Sequence, residues 1–318
     1  MTGMGVLCIG DLDVDFFISV PTVPGFDQKV AGVNHGYKPG GMSANSAVAL
    51  ARLGLKSRLL AAVGNDAAGK LAIRHLAAEG VDLDFLARRD GVETFVCVIL
   101  LSPSGEKSLI KLETEAYLPS PDDLSEAAFE GVRHVHVTYG SPSLTLRALR
   151  FAATRGLSTS LDLEPPDILR HPARLATVLP LVDTLFLNRE ALDAASMAVG
   201  APLDTTHLRR GGEMIVTLGA AGCRRVAADG PLAVPGFAVS PVDTTGAGDC
   251  FAGAYLAEKL RGEAPTDCLR FANAAAALAT LDYGAQSAMP RRSEVEALLS
   301  GHRRPERQDP IIGGMRDA

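Results

Sequence analysis

The chain has 318 residues, 47% of them hydrophobic and 21% charged, enough apolar material to bury a large core without disulfide staples. A formal charge of -6, with basic residues scattered along the chain, excludes nucleic acid as the main ligand. Five cysteines, none in a Cys-x-x-Cys pair, point to reduced thiols and a cytoplasmic setting.

In chain order, the apolar run 6–9 reads as a strand. It is too short for a signal or membrane segment, so no membrane partner is expected. A helical pattern over 44–53 follows, then strand and helix pairs at 59–63 with 69–79 and at 132–137 with 144–154. Further strands are expected at 159–163, 184–187 and 214–218. Strands apolar on both faces predict a mostly parallel sheet between two helix layers. Two stretches break this rhythm: 14–37, with its prolines and the run Phe16-Phe17-Ile18, and 94–112, a hairpin turning at Pro103-Ser104-Gly105. They are expected to pair into a small lid sheet drawn from 13–39 and 92–114, set on an α/β domain over 1–300. The polar, proline-broken segment 301–318 reads as a mobile tail. Residues 95–101 are apolar on both faces, and a lid has one face to give to its own site. The other face is therefore expected to meet a second copy in a homodimer.

The most informative segment is Asp243-Thr244-Thr245-Gly246-Ala247-Gly248-Asp249-Cys250, a glycine turn running into an alanine-rich helix. Gly246 and Gly248 can aim successive NH groups at one point, and the helix N-terminus adds positive potential, so the turn suits a phosphate. Asp249 either caps the helix or takes a proton where phosphate arrives; the glycines favour the second reading. Its acidity is expected to be enhanced by the helix terminus. Gly40-Gly41-Met42-Ser43-Ala44-Asn45 repeats the theme: the glycines permit close approach, and Asn45 offers the donor and acceptor that hydroxyls need. Asp11, Asp13 and Asp15 alternate after the first strand and would share one face, binding sugar hydroxyls or, for Asp11, forming a solvated edge. The P-loop-like Gly64-Asn65-Asp66-Ala67-Ala68-Gly69-Lys70-Leu71 lacks the final hydroxyl that would hold Mg2+ and reads as a turn. His134 and His136 alternate on a strand without a third zinc ligand and read as structural. Thr217-Leu218-Gly219-Ala220-Ala221-Gly222 ends a strand in glycines, which suits either a nucleotide lying against the backbone or a hairpin turn.

Together these motifs resemble the PfkB, or ribokinase-like, family of carbohydrate kinases, from about residue 6 to 290. Gly40 to Asn45 is similar to the family's first signature and Asp243 to Ala254 to its second. The resemblance implies a ribokinase-like three-layer α/β/α core with a small β-sheet lid. It implies ATP and Mg2+ as cofactors, Asp249 as general base, and the NH groups of Gly246, Ala247 and Gly248 as anion hole. It also implies acceptor contacts from Asp13, Asp15, Gly40, Gly41 and Asn45, and nucleotide contacts from Asn188, Thr217, Gly219, Gly222 and Asn273. Gly284-Ala285-Gln286 with Pro290, together with Asp243 and Thr245, implies a monovalent cation such as K+. The implied reaction moves the γ-phosphoryl group of ATP to a hydroxyl, expected to be primary, of a sugar-like acceptor.

Some residues depart from the pattern. The family's Asn-x-x-Glu is replaced by Asn188-Arg189-Glu190, with the Glu one position early, which bears on Mg2+. Met42 stands where ribokinases have Lys, and Gly140 where they have a sugar-contacting Glu. Both turn the expectation away from ribose and toward a bulkier acceptor with room at Gly140. A nucleoside kinase, with Phe16, Phe17 or Tyr37 as the base slot, and a catalytically silent binding protein are the alternatives.

Overall fold

The structure, a computed structural model, describes residues 5–102 and 107–301. The hairpin turn expected at 103–105 and the tail from 302 lie outside the described residues. In chain order the strands are β1 (Gly5–Ile9), β2 (Asp13–Ser19), β3 (Val33–Gly40), β4 (Lys56–Leu60), β5 (Ala62–Gly64), β6 (Ala87–Arg89), β7 (Val96–Leu101), β8 (Lys107–Leu112), β9 (Val132–Thr138), β10 (Ser158–Leu163), β11 (Thr184–Asn188), β12 (Glu213–Thr217), β13 (Cys223–Val226) and β14 (Leu232–Val234). The helices are α1 (Met42–Arg52), α2 (Ala67–Ala78), α3 (Pro142–Thr154), α4 (Pro165–Arg170), α5 (Pro172–Val178), α6 (Arg189–Val199), α7 (Ala247–Lys259), α8 (Pro265–Ala279) and α9 (Arg292–Leu299).

Strands without a polar face must be covered on both sides, and β1 shows how. Val6 and Cys8 enter a core shared with α1, α7 and α8, while Leu7 and Ile9 enter a second core shared with α3, α5 and α6. The large sheet has the order β14-β13-β12-β11-β10-β9-β1-β4. From β12 to β4 every neighbouring pair is parallel, and β13 and β14 close one end as antiparallel strands. Ile9 stands opposite both Leu60 and Val137, so the carboxyl ends of the central strands come level. A crevice beyond that edge is the usual ligand position in such sheets. The apolar run expected as one strand over 59–63 is two. β4 ends at Leu60 in the large sheet, and β5 pairs with β6 outside it; hydrophobicity alone cannot locate such a break.

The two irregular stretches form a four-stranded sheet of order β3-β2-β7-β8. The P-loop-like turn is structural, as expected. Asp66 caps α2 through Gly69 N at 2.8 Å and accepts from Thr94 Oγ1 at 2.6 Å. A Cβ on Gly69 would come within 2.2 Å of Gly64 O. His134 and His136 are buried on serine hydroxyls of β10, His134 Nε2 and His136 Nδ1 both meeting Ser160 Oγ. Burial lowers both pKa values, so the rings are neutral partners in the core. Among the described residues no helix is long and apolar enough to cross a membrane.

Candidate active site

The site begins where β1 ends. Asp11 Oδ2 and Oδ1 accept from Met42 N and Ser43 N, each at 3.1 Å, and so cap α1, whose own cap residue Gly41 has no side chain. Gly41 has φ +94°, and a Cβ there would lie 2.7 Å from Leu12 Cα. Asp11 is therefore no solvated edge: it is 8% exposed and ties the first signature to the sheet. Met42 opens the helix half-buried.

Asp13 and Asp15 leave the core sheet on β2 and share a face with Cys97 of β7, which pairs with Asp15. Cys97 Sγ donates to Asp13 Oδ2 at 3.4 Å, and buried Asp13 Oδ1 has no partner. Gly40 leaves them room, since a Cβ would stand 2.2 Å from Asp13 Oδ1 and 2.7 Å from Asp15 Oδ2. Burial first, and then the charge of Asp15, pushes Asp13 well above the carboxylate range. Burial and the charge of Asp243 push Asp15 up to about 7. An unpaired, buried Oδ1 on Asp13 beside a second carboxylate suits an arriving group rich in O–H. Asp13, Asp15 and Cys97 also lie close enough to surround a metal. Burial holds the thiol protonated, however, and it is a donor here, which favours hydroxyls over a metal.

The second signature opens α7. Gly246 caps α7 at φ +74°, with Ala285 Cβ 2.7 Å from where its own Cβ would be. At Gly248 a Cβ would meet open space. The first NH groups of a helix have no carbonyl of their own. Ala247 N reaches Thr244 O at a long 3.3 Å and Cys250 N reaches Gly246 O, so the chain's own carbonyls take up part of the first turn of α7. Asp249 is 7% exposed and accepts from Asn45 Nδ2 at 2.8 Å, so the two signatures meet at one hydrogen bond. Asn45 Oδ1 is buried without a partner. Contrary to the expected gain in acidity, the Asp249 pKa is raised: burial, then the charge of Asp162, outweighs the helix terminus and the Asn45 bond.

Beside Asp249 a cleft is lined by Asp162, Glu164, Asn188, Thr217 and Gly248. Burial, then Glu164, pushes Asp162 up to about 8. Asn188 Oδ1 caps α6 through Ala191 N at 2.7 Å. Glu190, in the same first turn, is exposed and does not line the cleft. Gly219 is exposed at φ +59° in the turn after β12. Gly222 is required by packing, since a Cβ would lie 2.2 Å from Val234 O. Asn273 Nδ2 donates to Val234 O and Pro235 O at 3.1 Å, so it fixes that loop. Asp243 binds Thr245 N, Thr245 Oγ1 and Gly284 N, and Gln286 Nε2 donates to Gly40 O. At Gly140 a Cβ would meet Leu118 Cδ1 at 2.8 Å, the movable end of that side chain. Of the proposed aromatic slot, Phe16 and Tyr37 stack on each other at 4.6 Å. They lie on the sheet face opposite Asp13 and Asp15, whereas Phe17, buried, shares the face of those carboxylates.

The family model for pfkB carbohydrate kinases matches residues 5–292. The chain belongs to the pfkB family of carbohydrate kinases. It is 31% identical to an ATP-dependent ribose-1-phosphate kinase of Halopiger xanaduensis, covering 93% of this chain and 98% of the relative. It is also 31% identical to a fructokinase of Solanum tuberosum, covering 93% and 96%. Among solved structures, a candidate ribokinase II of E. coli in complex with ATP and Mg2+ superposes with a TM-score of 0.82 at 26% identity, covering 94% of this chain and all of that one. In this pfkB kinase, Asp162 and Glu164 escape a reading based on the known signatures. Their signal, two acidic residues at the carboxyl end of an apolar strand, is visible only once that edge is known to face the cleft.

Proposed function

We propose that the chain transfers the γ-phosphoryl group of ATP to a primary hydroxyl of a sugar or sugar phosphate. The observation that carries this is the 2.8 Å bond from Asn45 to Asp249. It supports a proton acceptor at Asp249, between the carboxylates of β2 and the glycine turn of α7. Asp13 and Asp15 orient the acceptor, and Asp249 receives its proton late in a loose transition state, where positioning and charge stabilisation supply most of the acceleration. The NH groups of Gly246 and Gly248, with Ala247 assisting, hold the moving phosphoryl group. Thr217 and Gly219 face the nucleotide, while Gly222 and Asn273 shape the loop behind it.

The cleft fits Mg2+: Asp162 and Glu164 are hard oxygen donors whose mutual repulsion a cation would relieve, and they, not Glu190, would hold it. Bound there, Mg2+ would neutralise charge on the polyphosphate. Asp243 and Thr245 fit a monovalent metal poorly, being engaged with each other, with Gly284 N and with Lys107, and no step is assigned to one.

The test is ADP release with Mg2+ across D-ribose, D-fructose, ribose 1-phosphate and nucleosides, with the product's phosphate located by NMR. Turnover with a sugar, lost by roughly 10² to 10⁴ in Asp249→Asn while substrate binding persists, is expected; background rates across the whole panel would end this reading. Leu118 packs beside Gly140, and Phe17, on the face of Asp13 and Asp15, is the member of the aromatic slot that supports keeping nucleosides in the panel. The outer face of the small sheet, with Phe16, Tyr37, Val98, Ile110 and Leu112, supports a homodimer through the lid, since Tyr37, Ile110 and Leu112 are 49–55% exposed. Ile110→Glu should then lower the mass seen by light scattering to that of one chain. All five cysteines are buried and free, which supports a reducing, cytoplasmic setting.

A further inference from the structure

Lys107 opens β8 at the edge of the small sheet, yet its ammonium reaches the phosphate-binding turn. It donates to Thr245 Oγ1 at 2.6 Å and lies 3.9 Å from Asp243 Oδ1, with its side chain 30% exposed. That hydroxyl belongs to the residue immediately before Gly246, the cap of α7. The same charge eases ionisation of Asp15 and of Glu164 against the effect of their burial, so the ammonium stands between the acceptor carboxylates and the cleft. Asp243 compensates that charge only from 3.9 Å, and the positive end of α7 beside it opposes it. A neutral side chain could have tethered the sheet as well. The arrangement becomes favourable when an anion lies between the lysine and the helix terminus, and two of its three N–H donors remain for that anion beyond the Thr245 bond.

We propose that Lys107 is a catalytic residue supplied by the small sheet, its ammonium binding the γ-phosphoryl group during transfer. The proposal rests on the kinase reading above. In the step, the bond from the acceptor oxygen to the γ-phosphorus forms as the bond from that phosphorus to the β,γ-bridging oxygen breaks. The hydroxyl proton passes to Asp249 and ADP leaves. Lys107 keeps its protons throughout and supplies charge to the equatorial oxygens.

Titration calorimetry of the full chain with Mg·ADP and Mg·AMP-PNP separates this from a tether. Lys107→Met should keep its affinity for Mg·ADP and lose roughly 10- to 100-fold for Mg·AMP-PNP, the loss expected of a charge-assisted hydrogen bond. Lys107→Arg should restore most of the preference, and Lys107→Gln should behave as the Met variant, so the result does not depend on one substitution folding well. With the best sugar of the panel, kcat should fall while KM for the sugar holds. An unchanged AMP-PNP to ADP ratio in both neutral variants, with KM for the sugar raised, would overturn the proposal and leave Lys107 a tether. Failure of the unsubstituted chain to bind Mg·ADP at all would instead overturn the kinase reading, and the proposal with it.

Discussion

In the proposed reaction Asp249 must be ionised to take a proton, yet its surroundings favour the neutral form. Burial and Asp162 raise its pKa, and the Asn45 hydrogen bond, made to the carboxylate, lowers it. The acid limb of kcat should therefore lie above the ordinary carboxylate range, with activity rising as pH rises through the folded-state value. Asn45→Ala removes a hydrogen bond that favours the charged form, so the limb should move to still higher pH while the plateau falls roughly tenfold or more. A pH profile that stays in place would mean that the bond does not poise the base. At this scale the sequence was most informative where glycine was involved, because Gly41 and Gly246 combine positive φ with neighbours that leave no room for a Cβ. It was least informative for Asp11 and Asn273, whose partners lie 31 to 39 residues away and, for Asp11, also on Thr138 far along the chain.

Between elements, the contact that matters is α1 against α7. Gly253 lets them touch: a Cβ there would lie 2.7 Å from Ala49 Cβ and 3.2 Å from Ser46 O. Gly253→Ala gains about 1 kcal/mol of helix propensity but overpacks a tight seam at about 1–3 kcal/mol, so the seam wins and the midpoint of urea unfolding should drop. Turnover should fall with it, since Asn45 and Asp249 are carried by those two helices; a variant more stable than the parent would show that the seam has slack. The strands were legible from their doubly apolar pattern and the small sheet from its broken rhythm. The division of 59–63 between two sheets was not, because Ala61 differs in nothing local from its neighbours and only the pairing of β5 with β6 separates them.

For the molecule as a whole, the crowded carboxylates have a thermodynamic consequence. Asp15 is raised from an ordinary 3.8 to about 7 and Asp162 to about 8. Between those limits the folded chain binds more protons than the unfolded one, so these groups stabilise it at acid pH and their contribution is lost as pH rises through 7 to 8. The melting temperature of the ligand-free protein should fall over that window, and Asp15→Asn and Asp162→Asn should each flatten the slope; equal slopes in parent and variants would show that neither group is raised. The resemblance implied that the two signature segments would meet, as the Asn45 to Asp249 bond shows they do, although the acidic wall at the end of β10 was not readable. The position of the five cysteines has a last consequence. Four lie in the α/β core, whereas Cys97 sits in the small sheet, shut in against Asp13. A thiol reagent therefore finds nothing to modify until the chain opens. If the small sheet swings away as a unit, one equivalent of label should be taken up early, at Cys97, and the other four only on global unfolding, so that mass spectrometry against time would give the free energy of each motion separately.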